Sequence, residues 1–251
     1  MKDILEGSKE LLNESINLIG DTLNEVVFVG GWGPYLRHAD IHPGTKDVDI
    51  LFPMNYSREK IQIVLENFLN NKFFISAKHD FQLCRAYQLG ERTYIFNVDL
   101  LHPTEGKIEK VDFVEIMDLD VTVDGIRVKP IISINIQFGE VIHSEKLIDQ
   151  VDFNGRQINV LDGAGIIISK LSACHNKKRP RDIYDIYLSL SEPYALEKMH
   201  HLISINPTIR EQFNKYCKLL KKNWIDYETS LKIFGVNDNK AKKKLLMGGN
   251  N

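Results

Sequence analysis

Asp47 and Asp49 stand two residues apart in the run Asp47-Val-Asp-Ile-Leu-Phe52, whose β-branched and apolar residues predict a strand. Residues i and i+2 of a strand share a face, so the two carboxylates project side by side. Such a pair repels itself and is tolerated where a divalent cation neutralises it. Mg²⁺ takes oxygen ligands and completes its shell with water and substrate phosphates, which suits an open carboxylate pair. The spacing is weak by itself, because Asp118 and Asp120 repeat it. The first pair is set apart by Gly30-Gly31 upstream, after the strand-like Val26-Val-Phe-Val29 and before Pro34, which suits the first turn of a helix. Two readings of these glycines stay open. They can bring backbone N–H groups against a phosphate beside the positive end of the helix, or they can be only a sharp strand-to-helix turn.

Two-metal phosphoryl transfer generally uses a third carboxylate from a neighbouring strand. Asp99 lies in Tyr94-Ile-Phe-Asn-Val-Asp-Leu-Leu101, an apolar strand in which an unpaired acid would be costly, and Asp112 and Glu115 are its rivals. No Walker A or G-x-G-x-x-G loop is present, and the eight histidines show no metal spacing. Cys84, Cys174 and Cys217 are odd in number and far apart, which argues against a disulfide framework or a zinc site and fits a reducing cytoplasm.

The elements that must position these residues follow from periodicity. Leu12, Ile16, Ile19 and Leu23 predict an amphipathic helix over 8–24, and Ser57 can cap a helix bearing Ile61, Val64, Leu65, Phe68 and Leu69 on one face. Strands are expected at 82–89, 94–101, 111–117, 120–123 and 126–138, giving a mixed sheet flanked by helices. Beyond Val160 the chain turns helical, with Asp162 as a cap, a stripe of Ala164, Ile167, Ile168 and Leu171, a helix opened by Pro180, and helical segments at 195–204 and 208–234. The expected division is therefore an α/β (α+β) core over 1–160 and a carboxy-terminal helical bundle domain over 161–251. The amino terminus does not read as a signal peptide, and no apolar run approaches the roughly 18 residues of a membrane span.

Charge divides the same way. Residues 1–160 hold 16 Lys and Arg against 25 Asp and Glu, whereas residues 161–251 hold 16 against 9. The basic part can attract a polyanion, or its lysines can be merely solvated. The run Lys177-Lys-Arg-Pro-Arg181 carries the same pair of readings: a guide for RNA phosphates, or a solvated loop.

The motif Val29-Gly-Gly-Trp32, then Thr45-Lys-Asp-Val-Asp-Ile50, then a later apolar strand carrying Asp99, resembles the polymerase-β-type nucleotidyltransferase superfamily. The segment from Lys170 through Arg181-Asp182-Ile-Tyr-Asp185 is similar to the K-x-x-A…R-D-x-x-D signature of the AbiEii family, the toxin components of type IV toxin–antitoxin systems. The resemblance covers residues 28–190. It implies a nucleotidyltransferase core followed by a helical domain, and transfer of a nucleoside monophosphate from an NTP to a nucleic-acid acceptor, tRNA ends being the suggested substrate. It also implies an antitoxin as a partner. Lys170 matches the family lysine near the triphosphate, and Asp182 the aspartate of its R-D-x-x-D element. Three features depart from the pattern: Gly31 where many members have serine, 15 residues between Gly31 and Asp47, and a Gly-Gly-Trp like that of antibiotic nucleotidyltransferases.

The expected site then has Asp47, Asp49 and Asp99 as ligands of two Mg²⁺ ions, with Lys170 and Asp182 as further catalytic residues. Gly30, Gly31, Thr45, Lys46, Lys170 and Arg181 would hold the nucleotide. An ordinary ion-pair network between two helices is the alternative for Lys170, Arg181, Asp182 and Asp185. A small-molecule acceptor such as an antibiotic, or a catalytically silent partner-binding module, are the alternatives for the whole.

Overall fold

The computed structural model describes residues 3–54, 57–79, 81–103, 122–123, 126–127, 134–176 and 179–247. By its internal contacts the chain divides into two compact units: Met1–Trp32 with Gly44–Val160, and Gly33–Pro43 with Leu161–Asn251.

In the first unit, α1 (Ile4–Ile19) opens at Asp3, whose carboxylate accepts from the Glu6 N–H at 2.9 Å. It ends at Gly20, whose φ of 59° breaks the helix, so the predicted helix over 8–24 continues from there as a 3₁₀ turn, Gly20–Asn24. Next come β1 (Val27–Val29), α2 (Trp32–Arg37), which beyond Trp32 belongs to the second unit, β2 (Val48–Leu51), α3 (Arg58–Asn70), β3 (Phe74–Ile75), β4 (Gln82–Leu89) and β5 (Arg92–Pro103). Short strands β6 (Thr122–Val123), β7 (Ile126–Arg127) and β8 (Ile134–Ile136), α4 (Gly139–Ser144), and the strands β9 (Ile148–Phe153) and β10 (Arg156–Leu161) complete it. The strand expected at 111–117 lies outside the described residues, as do residues 120–121 and 128–133 of the strands expected at 120–123 and 126–138. The last is corrected at its end: Phe138 has a left-handed backbone, φ 65°, and leads into α4 rather than extending a strand.

The sheet runs β3-β4-β5-β2-β1-β10-β9, with β8 paired to β5 beyond the point where β4 ends. It is mixed. β2 lies antiparallel to β1 and parallel to β5, and β1 lies parallel to β10. One face is apolar: Ile50, Phe96, Val98 and Leu100 are buried, as are Leu11, Leu12 and Ile16 of α1 and Leu65 and Phe68 of α3. Arg85 ties β4 to α1 through a two-point contact with Glu14, at 2.8 and 3.1 Å, and that hydrogen-bonded carboxylate raises the guanidinium's affinity for its proton.

The second unit is helical: α5 (Gly163–Lys170), α6 (Arg181–Ser189), α7 (Ala195–Ile205), α8 (Pro207–Lys222), α9 (Trp224–Ile233) and α10 (Ala241–Leu245). Asp162 caps α5 through Gly165 N–H at 2.8 Å, and Asn206 caps α8 ahead of Pro207. The segment expected to be helical over 208–234 is two helices, separated at Asn223. Ile166, Ile167, Ile183, Tyr184, Met199, Leu202, Ile209, Tyr216 and Leu231 form its core.

Gly7 marks where α1 meets the sheet most closely: a Cβ there would lie 2.6 Å from Phe96 Cζ. Phe96 is fully buried, so its ring has no open space to retreat into. Gly7→Val is expected to destabilise the protein by about 1–3 kcal/mol through overpacking, against the roughly 1 kcal/mol that replacing a helical glycine with alanine would otherwise gain. Urea denaturation of the two proteins checks this.

Candidate active site

The parallel register of β2 on β5 pairs Val48 with Val98, Asp49 with Asp99 and Ile50 with Leu100. Paired residues of adjacent strands point to the same face, so Asp49 and Asp99 are neighbours there. Asp47 precedes Asp49 by two residues and Asn97 precedes Asp99 by two, which adds both to that face. Val48, Ile50, Val98 and Leu100 take the opposite, apolar face, leaving the acids half-buried.

β1 brings the glycine turn onto the same carboxylates. Val29 pairs with Asp49, and the next residue, Gly30, has φ 69°. A Cβ at Gly30 would lie 2.1 Å from Asp49 Oδ2. Both the left-handed backbone and the close approach therefore require glycine. Gly31 is buried and leads into α2, and the Trp32 indole N–H donates to the Asp47 carbonyl at 2.9 Å, fixing the strand entry.

Two amides that the sequence reading missed orient the acids. Gln82 Nε2 donates to Asp99 Oδ1 at 2.8 Å, and Asn97 Nδ2 donates to Asp47 Oδ1 at 3.2 Å. Asn97 Oδ1 accepts from Cys84 Sγ at 3.5 Å, which sets which way its amide faces. A signal for Asn97 was present: Asn97-Val-Asp99 repeats the spacing of Asp47-Val-Asp49 on the next strand. Burial pushes the Asp99 carboxyl above the ordinary carboxylate range and the nearby Asp47 charge adds to the rise, while the Gln82 hydrogen bond and His79 oppose it.

Three carboxylates from two adjacent strands are the donor type a hard divalent cation takes. As the side chains stand, no three His, Cys, Asp or Glu residues converge as a metal-binding group among the described residues. One oxygen of Asp47 and one of Asp99 are held by amide donors instead. Asp112 and Glu115, the rivals of Asp99, lie outside the described residues.

Of the expected nucleotide contacts, Thr45 is buried, while Lys46 is exposed with its ammonium 5.6 Å from the Phe96 ring centroid. Phe96 belongs to the apolar face, so the structure places Lys46 on the side away from the carboxylates.

Lys170, Arg181, Asp182 and Asp185 belong to the second unit. Lys170 Nζ lies 2.7 Å from Asp182 Oδ1 and 2.7 Å from Asp185 Oδ2, and all three side chains are buried. Arg179 Nε is 2.8 Å from Asp182 Oδ2, and Arg181 Nε is 3.8 Å from Asp185 Oδ2. Burial by itself would raise the Asp185 carboxyl, yet Lys170, a hydrogen bond from His42 and Arg181 together hold it below the usual range. His42, 143 positions away in sequence, was not anticipated: its Nε2 is 2.9 Å from Asp185 Oδ1 and its ring stacks on Tyr184. Tyr184 in turn donates its hydroxyl to the Ile41 carbonyl at 2.9 Å. The network thus pins the long connection between β1 and β2 onto α6. Lys177 and Lys178 lie outside the described residues.

A family model described as the nucleotidyl transferase AbiEii toxin of a type IV toxin–antitoxin system matches residues 18–218. No curated protein matches the chain. Among solved structures, a protein from H. pylori assigned as a nucleotidyltransferase is 12% identical, with a TM-score of 0.49 over 98% of this chain and 92% of its own. An antigenic nucleotidyltransferase-like protein from Paracoccidioides brasiliensis is 14% identical, with a TM-score of 0.42 over 91% of this chain and 92% of its own.

Two outcomes follow from the site's electrostatics. Because the folded-state affinity of Asp99 for a proton is raised, its charged form opposes folding. That penalty is absent below the unfolded carboxylate pKa of about 3.9 and grows as pH rises through the folded value. Asn keeps an acceptor for Gln82, so Asp99→Asn is expected to be more stable than wild type at neutral pH, the two melting curves converging in acid. Lys170→Met strands two buried carboxylates and is expected to cost about 3–5 kcal/mol in urea denaturation, part of it recovered by adding Asp185→Asn.

Proposed function

Because this chain belongs to the AbiEii family of nucleotidyl transferase toxins, matched over residues 18–218, we propose that it transfers a nucleoside monophosphate from an NTP to an RNA hydroxyl, tRNA being the acceptor, at the carboxylates Asp47, Asp49 and Asp99. The observation that carries this reading is the pairing of Asp49 with Asp99 on parallel strands, with Asp47 two residues ahead and Gly30 closing on Asp49. The acceptor oxygen forms a bond to the α-phosphorus, the bond to pyrophosphate breaks, and the hydroxyl proton passes to water. Asp47, Asp49 and Asp99 would hold Mg²⁺, which when bound neutralises the acids and lowers the pKa of the acceptor hydroxyl.

The remaining roles belong to the chain's own groups. At Gly30 any side chain would intrude on Asp49, and the Gly30-Gly31 turn would let backbone N–H groups approach a phosphate closely. Gln82 and Asn97 hold Asp99 and Asp47 in defined orientations, so that fewer side-chain motions remain to be frozen when substrate binds. In the second unit Lys170 is read as the cation that an NTP phosphate engages, with Asp182 and Asp185 fixing its ammonium. An antitoxin partner fits the family. No described helix is long and apolar enough to cross a membrane.

Asp49→Asn tests the reading. The variant is expected to match wild type in apo stability, or slightly exceed it, because it removes one of several crowded negative charges. Mg²⁺ with an NTP should raise the wild-type Tm, since a ligand specific to the native state stabilises it by about 2.7 kcal/mol at a hundredfold excess over Kd. Asp49→Asn should lose most of that rise, together with labelling of total tRNA by each NTP in turn. A variant that unfolds without ligand, with wild type unshifted by Mg²⁺ and NTP, would make Asp49 a structural residue.

A further inference from the structure

The second unit carries a basic surface that the proposed chemistry leaves unused. Along α8, Ile209, Tyr216 and Leu220 face the core, while Arg210, Lys215, Lys218, Lys221 and Lys222 are exposed, with Glu211 as the one acid of the helix. At 3.6 residues per turn these five cations fall within an arc of roughly 140°, and at 1.5 Å per residue they span about 18 Å. Some lysines elsewhere are ion-paired, as Lys60 is with Glu25, Lys198 with Asp162 and Lys232 with Glu228. Among the described residues none of the five cations of α8 has such a partner. At the carboxy-terminal end of the helix the positive surface continues with Lys242, whose ammonium lies 5.5 Å from the Trp224 ring centroid.

Glu211 falls inside the same arc, one turn before Lys215, so the face carries a net surplus of positive charge that a polyanion would neutralise. Backbone phosphates recur every few ångströms along a nucleic-acid strand, so a ridge of about 18 Å faces several of them. The ridge offers cations rather than aromatic rings, the kind of contact that positions a backbone without reading bases.

We propose that Arg210, Lys215, Lys218, Lys221 and Lys222 of α8 form the surface on which the phosphate backbone of the RNA acceptor lies. The assignment of RNA rests on the acceptor named above, whereas the ridge itself rests on the geometry of α8. It predicts binding that is strongly salt-dependent and indifferent to sequence along this part of the acceptor.

The test removes three exposed cations together, Lys215→Ala, Lys218→Ala and Lys222→Ala, and compares them with Lys9→Ala, Lys60→Ala and Arg92→Ala in the first unit. Binding of total tRNA is followed by fluorescence anisotropy against salt, with polyglutamate as a competing polyanion of protein type. The ridge variant is expected to keep the wild-type Tm, to flatten the slope of log K on log salt by about 2 to 3, and to bind ~10- to 100-fold more weakly near 0.1 M salt. The first-unit variant should keep the wild-type slope. Equal effects from both variants, no effect from either, or displacement of tRNA by polyglutamate at matched charge would overturn the assignment. Nucleotide transfer separates the two layers. If wild type labels no RNA while tRNA binding depends on the ridge, the acceptor reading fails and the ridge stands. If wild type labels tRNA and the ridge variant does so with unchanged KM, the ridge assignment fails and the reaction stands.

Discussion

The parallel pairing of β2 with β5 is the constraint on which the candidate site depends. It sets Asp49 beside Asp99 in register, and the alternation of each strand then sends Asp47 and Asn97 to the same face and Val48, Ile50, Val98 and Leu100 to the other. A slip of one residue in that register would turn one of the acids into the apolar side of the sheet. The buried residues of α1 and α3 hold the register, because a shifted strand would have to withdraw Phe96 and Val98 from the core.

Collecting the acids raises the energy of the empty site, and the surroundings limit the increase. Gln82 and Asn97 give Asp99 and Asp47 one hydrogen bond each, and Cys84 fixes the orientation of Asn97. The remaining tension shows at Asp99, whose carboxyl is pushed up by burial and by the charge of Asp47. Gly30 adds to the crowding from the third strand, with a backbone so close to Asp49 that a methyl group could not be placed. The Mg²⁺ proposed for this site would offset that local expense.

The second unit resolves its buried charges in the opposite manner. Lys170 is shared by Asp182 and Asp185, Arg179 and Arg181 approach from the outer side, and His42 completes Asp185. His42 also explains the length of the connection between Gly31 and Asp47. Residues 33–43 are part of the helical unit, pinned by the contact of His42 with Asp185 and by the Tyr184 hydroxyl on the Ile41 carbonyl. A departure from the family spacing is thereby a structural element with its own partners.

Much was legible in the sequence because its causes are local. Alternation identified the strand of Asp47 and Asp49, helical periodicity identified α1, α3 and α5, and the caps at Ser57 and Asp162 hold as side-chain acceptors for nearby N–H groups. The Asn154-Gly155 turn that joins β9 to β10, with both residues at positive φ, has an equally local cause. What the sequence by itself determined was the set of acids and the strands that bear them, since those follow from a period of two and a few neighbouring residues. Only the tertiary structure decided that Asp99 is the acid opposite Asp49, that Gln82 and Asn97 hold the acids, that Lys46 faces the other way, and that His42 reaches Asp185. Each of these depends on strand register or on contacts between residues far apart in the chain, and the energy that selects them comes from burying the core as a whole, not from any short stretch of sequence.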